Sequence, residues 1–278
     1  MSQIIWKNKK LNLSRPVVMG ILNLTPDSFY DGGRKKGLDV ALRHVEKMID
    51  DGASIIDVGA VSTRPNAAEV NEAEEWNRLT GVLVELRKRF PRVIISVDTY
   101  RASIAQAAAN LGADMINDIS GGQFDEKMFA TIAKLKLPYI MMHIKGRPAS
   151  MQLNPLYDDV VADVFTFFET QLKKLSELEV SENIILDPGF GFGKTVEHNF
   201  EMLKRFSEFK KLGCPLLAGL SRKSMINRVL GVKPEDALNG TTVLNTLALL
   251  NGANILRVHD VKEAVEAVKL LEATQRGR

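Results

Sequence analysis

The chain predicts a single-domain α/β fold of the (β/α)₈ TIM-barrel class, and three features carry that prediction. Short, almost wholly apolar runs such as Val93-Ile94-Ile95 and Pro138-Tyr139-Ile140-Met141-Met142 recur along it, as parallel strands covered on both faces require. Helical patterns separate these runs, so that eight strand-then-helix units fill the 278 residues. Each predicted strand also ends on a polar residue, and a barrel gathers such ends at one mouth. An open doubly wound sheet is the competing architecture, but no glycine-rich fingerprint follows the first strand. No low-complexity linker interrupts residues 1–278, so one domain is expected.

Residues 1–14 mix polar and apolar positions and predict an edge hairpin or a cover for one end of the fold. The apolar run from Val17 to Leu22 ends at Asn23 and opens into a loop of turn formers, Thr25-Pro26-Asp27-Ser28-Phe29-Tyr30-Asp31-Gly32-Gly33. A helical pattern from about Leu38 to Asp51 stops at Gly52. Further strands are predicted near 55–60, 94–99, 115–120, 138–143, 184–189, 215–221 and 255–259. Helices are predicted near 70–90, 101–111, 125–136, 157–179, 197–211, 235–251 and 261–273.

The most distinctive run is Ile184-Ile185-Leu186-Asp187-Pro188-Gly189-Phe190-Gly191-Phe192-Gly193-Lys194-Thr195, which passes abruptly from apolar residues to a carboxylate and then to glycines. It reads as a buried strand opening into a loop whose backbone bends sharply or approaches a ligand. Neither familiar phosphate motif fits. A P-loop needs glycine where Pro188 stands, and a dinucleotide fingerprint needs one more residue before its third glycine.

Composition narrows the function. Lysine and arginine total 37 against 34 acidic residues, and the resulting +3 is too small to argue for nucleic acid or a membrane surface. A single cysteine, Cys214, excludes an internal disulfide and a thiolate cluster. The N-terminus has no signal-like apolar stretch, so a soluble cytoplasmic protein is expected.

The polar strand ends are Asn23, Asp57, Asp98, Asn117 with Asp118, His143, Asp187, Ser221 with Arg222 and Lys223, and Arg257 with His259. Barrel stability does not require polar groups at every strand end, so these predict a ligand site. Asp98, Asp187 and Asn117 offer acceptors and an amide for a flat nitrogen heterocycle, because a carboxylate pairs in bidentate fashion with an amino-pyrimidine edge. Arg64, Lys223, Arg257 and His259 offer donors for an anion, above all phosphate. One site thus suits a heterocycle and a phosphate together. Four histidines without ligand spacing argue against zinc, whereas Mg²⁺ bridging phosphate oxygens suits Asn23. His44 and His198 fall in predicted helices and are expected at the surface. The loops Thr25 to Gly37 and Ser62-Thr63-Arg64-Pro65-Asn66 are expected to act as lids.

Seven runs, in order from about 17 to 270, closely resemble the dihydropteroate synthase family. They are Asn23-Leu24-Thr25-Pro26-Asp27-Ser28-Phe29, Ser62-Thr63-Arg64-Pro65, Val97-Asp98-Thr99, Ile116-Asn117-Asp118, Asp187 to Lys194, Ser221-Arg222-Lys223-Ser224 and Arg257-Val258-His259-Asp260. The resemblance implies a folate-pathway transferase that joins 6-hydroxymethyl-7,8-dihydropterin diphosphate to 4-aminobenzoate and releases pyrophosphate. It also implies a (β/α)₈ barrel, a homodimer and Mg²⁺. Asp98, Asn117, Asp187 and Lys223 resemble the family's pterin-binding set, with Asp57 and Met141 beside them. Asn23 resembles the metal contact, and Arg64, Arg257 and His259 resemble the diphosphate cradle. Arg64, Asp98, Lys223 and Arg257 are the residues expected to carry the reaction. Thr63, Pro65, Phe192 and Ser221, with Phe29, resemble the aminobenzoate pocket, which the family's sulfonamide inhibitors share. The chain departs from the family at Ala60-Val61 and at Asn66, where a glycine, an acidic or amide residue and a second glycine are common. Two other readings are a methyl-delivering pterin module with a corrinoid partner, which would not need the Thr63-Arg64-Pro65 loop, and a catalytically silent relative.

Overall fold

The computed structural model describes residues 3–24, 34–62 and 70–276. Strands β1 (Gln3–Trp6) and β2 (Lys9–Asn12) form an antiparallel hairpin. The other strands are β3 (Val17–Asn23), β4 (Ile55–Gly59), β5 (Ile94–Asp98), β6 (Met115–Asp118), β7 (Tyr139–Met142), β8 (Ile184–Asp187), β9 (Leu217–Ala218) and β10 (Ile255–Val258). All eight are parallel and adjacent in the order β8-β7-β6-β5-β4-β3-β10-β9. The remaining gap is closed by a parallel bridge between Leu186 and Leu216, where Leu186 N–H donates to the Pro215 carbonyl at 2.9 Å. The sheet is therefore a (β/α)₈ TIM barrel, as the strand spacing predicts.

The surrounding helices are α1 (Arg34–Asp50), α2 (Glu72–Arg89), α3 (Ala102–Asn110), α4 (Met128–Leu135), α5 (Val160–Ser176), α6 (Val196–Lys204), α7 (Ser224–Leu230), α8 (Leu238–Leu250) and α9 (Val261–Arg276). Local chemistry sets several of their ends. The Asn71 side chain accepts from Glu74 N–H at 2.9 Å, and α2 carries acids in its first turn and bases in its last, matching its dipole. Asp159 caps α5 through Val161 and Ala162, which starts that helix three residues later than the periodicity predicts. The predicted helix 197–211 is divided: α6 stops at Lys204, and a 3₁₀ segment, Phe206–Leu212, buries Phe206 and Phe209. Likewise α7 precedes α8, and its seven residues are too few to announce themselves by periodicity.

Burial sorts into two layers. Outward-facing strand residues such as Val18, Ile56, Ile95, Ile116 and Met141 pack against the helices. Inward-facing Met19, Ile55, Met115, Ile140, Ile185, Leu217 and Ile255 form the barrel floor together with Ile4, Trp6, Leu11 and Leu13 of the hairpin. The hairpin is the predicted cover. Asn183 holds it, accepting from Ile5 N–H at 3.2 Å and donating to Ile5 O at 2.8 Å, and Lys9 reaches Asp114 at 2.6 Å. With the N-terminal ends of the strands covered, chemistry is left to the opposite mouth.

Candidate active site

Strand side chains alternate between the two faces of the sheet. Two residues beyond the floor layer, the same parity brings Asp57, Ser96, Asn117, Met142, Asp187, Gly219 and Arg257 inside. Four of these bear charge or an amide, so the interior turns polar one step above its apolar floor.

Arg257 is the centre of this layer. Its Nε donates to Asp57 Oδ2 at 2.6 Å and its Nη2 donates to Asp98 Oδ2 at 2.8 Å. Asn117 Nδ2 donates to the same Asp57 oxygen at 2.9 Å. Asp57 is fully buried, and its Oδ1 has no hydrogen-bond partner among the described residues. Burial pushes the Asp98 carboxyl up to about 7 against the pull of Arg257, helped by the negative charge of Asp57. Asp98 is therefore poised to change charge near neutrality, and a cationic donor from a ligand would favour its ionised form.

Asp187 and Lys223 face one another on the other side. Burial raises Asp187, although Lys223 and the 2.8 Å bond from Gly189 N–H oppose the rise. Burial likewise holds the Lys223 ammonium down to about 8. Lys223 Nζ donates to the Phe190 carbonyl and lies 4.7 Å from the centre of the Phe192 ring. Gly219 borders the pair, a Cβ there lying 3.8 Å from Lys223 Nζ and 3.9 Å from Asp187 Oδ2.

The loop after β8 owes its path to glycine. Gly189 has φ +71°, and a Cβ there would overlap the His143 carbonyl; Gly193 has φ +63°, and its Cβ would overlap that of Lys145. Phe190 is buried and stacks on Phe206, whereas Phe192 faces the mouth beside Lys223. Ser221 Oγ lies 3.0 Å from His259 Nδ1, at the rim, where His259 is exposed. Asn23 ends β3, exposed and paired in register with Gly59.

Several expected residues lie elsewhere. Met141 belongs to the outer core, because parity turns it toward the helices and puts Met142 inside. Asp118 also faces outward, where it accepts from Ser120 N–H, Ser120 Oγ, Gly122 N–H and Tyr139 Oη at 2.7–2.8 Å and so shapes a turn. Arg222, at φ +56°, turns away from the mouth and forms a two-point pair with Asp260 at 2.7 and 2.9 Å. His143 supports the glycine loop from behind, with Nδ1 2.9 Å from Lys194 Nζ. His198 is half-buried rather than a surface residue, because it closes a capping box with Thr195 at the start of α6; His44 is exposed as expected. Buried Lys194 was legible only as part of a motif, since no sequence signal separates a buried lysine from a solvated one. Phe29, Thr63, Arg64, Pro65 and Asn66 lie outside the described residues. Ala60, at the start of that second loop, is buried, and its carbonyl accepts from Arg78 at 2.9 Å.

Residues 19–259 match the pterin binding enzyme family. The chain is similar to the dihydropteroate synthase of Haemophilus influenzae, 48% identical over 96% of this chain and 97% of that one. It is 47% identical to the Escherichia coli K12 dihydropteroate synthase, over 98% and 96% of the two chains. Among solved structures, the Yersinia pestis dihydropteroate synthase with a sulfonamide drug superposes at a TM-score of 0.93, with 44% identity over 99% of each chain. The Xanthomonas albilineans dihydropteroate synthase with 4-aminobenzoic acid gives a TM-score of 0.92, with 36% identity over 99% of this chain and 98% of that one.

Proposed function

Since the chain belongs to the dihydropteroate synthase family of folate-biosynthesis transferases, we propose that its barrel mouth divides the reaction among the residues just described. The reaction joins the methylene carbon of 6-hydroxymethyl-7,8-dihydropterin diphosphate to the amine of 4-aminobenzoate and releases pyrophosphate. One observation carries the proposed division: buried Asp57, Asn117 and Asp187 line the same inner layer as Arg257, which also reaches half-buried Asp98, with Lys223 beside Asp187.

In this reading Asp98, Asn117 and Asp187 hold the pterin ring by its N–H groups, and Lys223 donates to its acceptors. Asp57 holds Arg257 and Asn117 in place. Met142, rather than Met141, meets the ring from β7. The carbon–oxygen bond to the diphosphate breaks as positive charge spreads over the electron-rich ring, and the carboxylates around the ring stabilise that charge. The arylamine nitrogen, neutral at pH 7, forms the new bond and then loses a proton, so no covalent nucleophile from the protein is needed. Arg257, His259 and Arg64 receive the departing diphosphate, with Phe192, Ser221, Thr63, Pro65 and Phe29 around the aminobenzoate.

Among the described residues no group of three His, Cys, Asp or Glu could hold a metal unaided. Asn23 offers one neutral amide oxygen at an exposed strand end, which suits a cation that keeps its waters and takes further ligands from a diphosphate. Mg²⁺ held there would offset the charge of the leaving group.

A homodimer fits an apolar surface on α7 and α8. Val243, Leu247 and Leu250 make one helical stripe beside Val229 and Leu230, and all five are 41–63% exposed. No helix of the described residues is long and apolar enough to cross a membrane.

Pyrophosphate release, measured with the dihydropterin diphosphate and Mg²⁺ in the presence and absence of 4-aminobenzoate, tests the whole reading when dihydropteroate is followed by chromatography. Matching pyrophosphate and dihydropteroate are expected. Pterin binding without dihydropteroate would favour a binding module instead.

A further inference from the structure

Lys194 is a buried cationic side chain that the reaction as described does not use. Its Nζ lies 2.9 Å from the Gly189 carbonyl, 3.0 Å from the Phe192 carbonyl and 2.9 Å from His143 Nδ1. Three acceptors around one nitrogen match the three hydrogens of an ammonium. Should burial strip a proton, two hydrogens still serve the carbonyls and the lone pair accepts from His143, so both states make the same three contacts. The group thus draws both ends of the Gly189–Phe192 segment toward the β7 exit.

That segment carries the two groups that meet Lys223. The Phe190 carbonyl accepts from Lys223 Nζ, and the Phe192 ring lies beneath it at 4.7 Å. Each is one residue from, or the same residue as, a carbonyl that Lys194 holds. We propose that Lys194 is a positioning residue that aims Lys223 at the pterin through the Gly189–Phe192 loop, with His143 as its third anchor. This rests on the reading that Lys223 binds the pterin.

The loop has other supports. Asn199 Oδ1 accepts from Gly191 N–H at 2.6 Å, and Tyr157 Oη donates to the Gly193 carbonyl at 2.8 Å. Lys194→Met therefore leaves the loop attached but releases its aim. A double-mutant cycle separates aiming from mere support, because residues that act through one another are non-additive.

The dissociation constant of a dihydropterin lacking diphosphate is measured by calorimetry for the parent chain, Lys194→Met, Lys223→Met and the double variant. Lys194→Met is expected to weaken binding about 10-fold in the parent chain and less than about 3-fold once Lys223 is gone. Equal losses in both backgrounds would overturn the proposal. If Lys223→Met alone leaves binding unchanged, the reading of Lys223 fails instead, which is a different result. Should Lys194→Met not fold, His143→Phe serves in its place, keeping a ring against Phe167 while removing the third anchor. A smaller loss that likewise vanishes without Lys223 is expected, and a loss that persists would refute the aiming role.

Discussion

Replacing Asp98 with Asn should separate ligand affinity from stability. Asp98 accepts one 2.8 Å bond from Arg257, yet it sits in a buried setting with Asp57, Glu75 and Asp118 around it. Its carboxyl rises from 3.8 to about 7, so between those values the folded chain keeps a proton that the unfolded chain releases. The stabilisation that this proton brings is complete below pH 3.8 and is lost as pH climbs through about 7. One site changes stability by at most about 1.4 kcal/mol per pH unit. From pH 5 to 7 the stability difference between Asp98→Asn and the parent chain should therefore move by about 2 kcal/mol in the variant's favour. Taking the difference matters, because other buried groups titrate too. Asp118, Asp187 and Glu75 are raised and tilt the parent curve the same way, while His143, lowered by burial, tilts it oppositely. Guanidinium unfolding at the two pH values reads the difference directly. The same substitution removes a charged acceptor from the proposed pterin site, and the loss of about 1.5–3 kcal/mol should weaken binding about 10- to 150-fold. A stability difference that stays constant from pH 5 to 7, or an unchanged pterin affinity, would refute the reasoning.

Three further outcomes follow from the same geometry. Arg257→Met leaves Asp57 and Asp98 without their shared cation, which should cost about 3–5 kcal/mol in urea unfolding and weaken pterin with or without its diphosphate. Equal stability of this variant would mean that the two ion pairs do not hold the layer together. Gly189→Ala must adopt a left-handed backbone and press its Cβ onto the His143 carbonyl, so a loss above about 3 kcal/mol is expected in thermal unfolding. The proposed homodimer contact predicts that the parent chain sediments as a dimer and Leu247→Glu combined with Leu250→Glu as a monomer, and a monomeric parent chain or an unchanged coefficient would refute that contact.

The sequence by itself determined the barrel, because eight apolar runs ending in polar residues leave parallel strands little other arrangement. The motifs also put Asp57, Asp98, Asn117, Asp187, Lys223 and Arg257 at one mouth, and the structure gathers them there. What the sequence could not decide was orientation among neighbours. Asn117 and Asp118 are adjacent and both polar, yet one enters the mouth and the other builds a turn among the helices. Met141 and Met142 are the same residue type, and only strand register against the floor residues assigns the inner place to Met142. Arg222 and Lys223 also divide, but in the turn beyond β9, where the left-handed backbone at Arg222 sends it outward to Asp260 and leaves Lys223 beside Asp187. Alternation along a strand says that two neighbours face opposite ways, but which one faces in depends on how the closed barrel aligns each strand with the next. Pairings across the barrel, such as Arg257 with Asp57 at 200 residues' separation, come into existence only when the sheet closes.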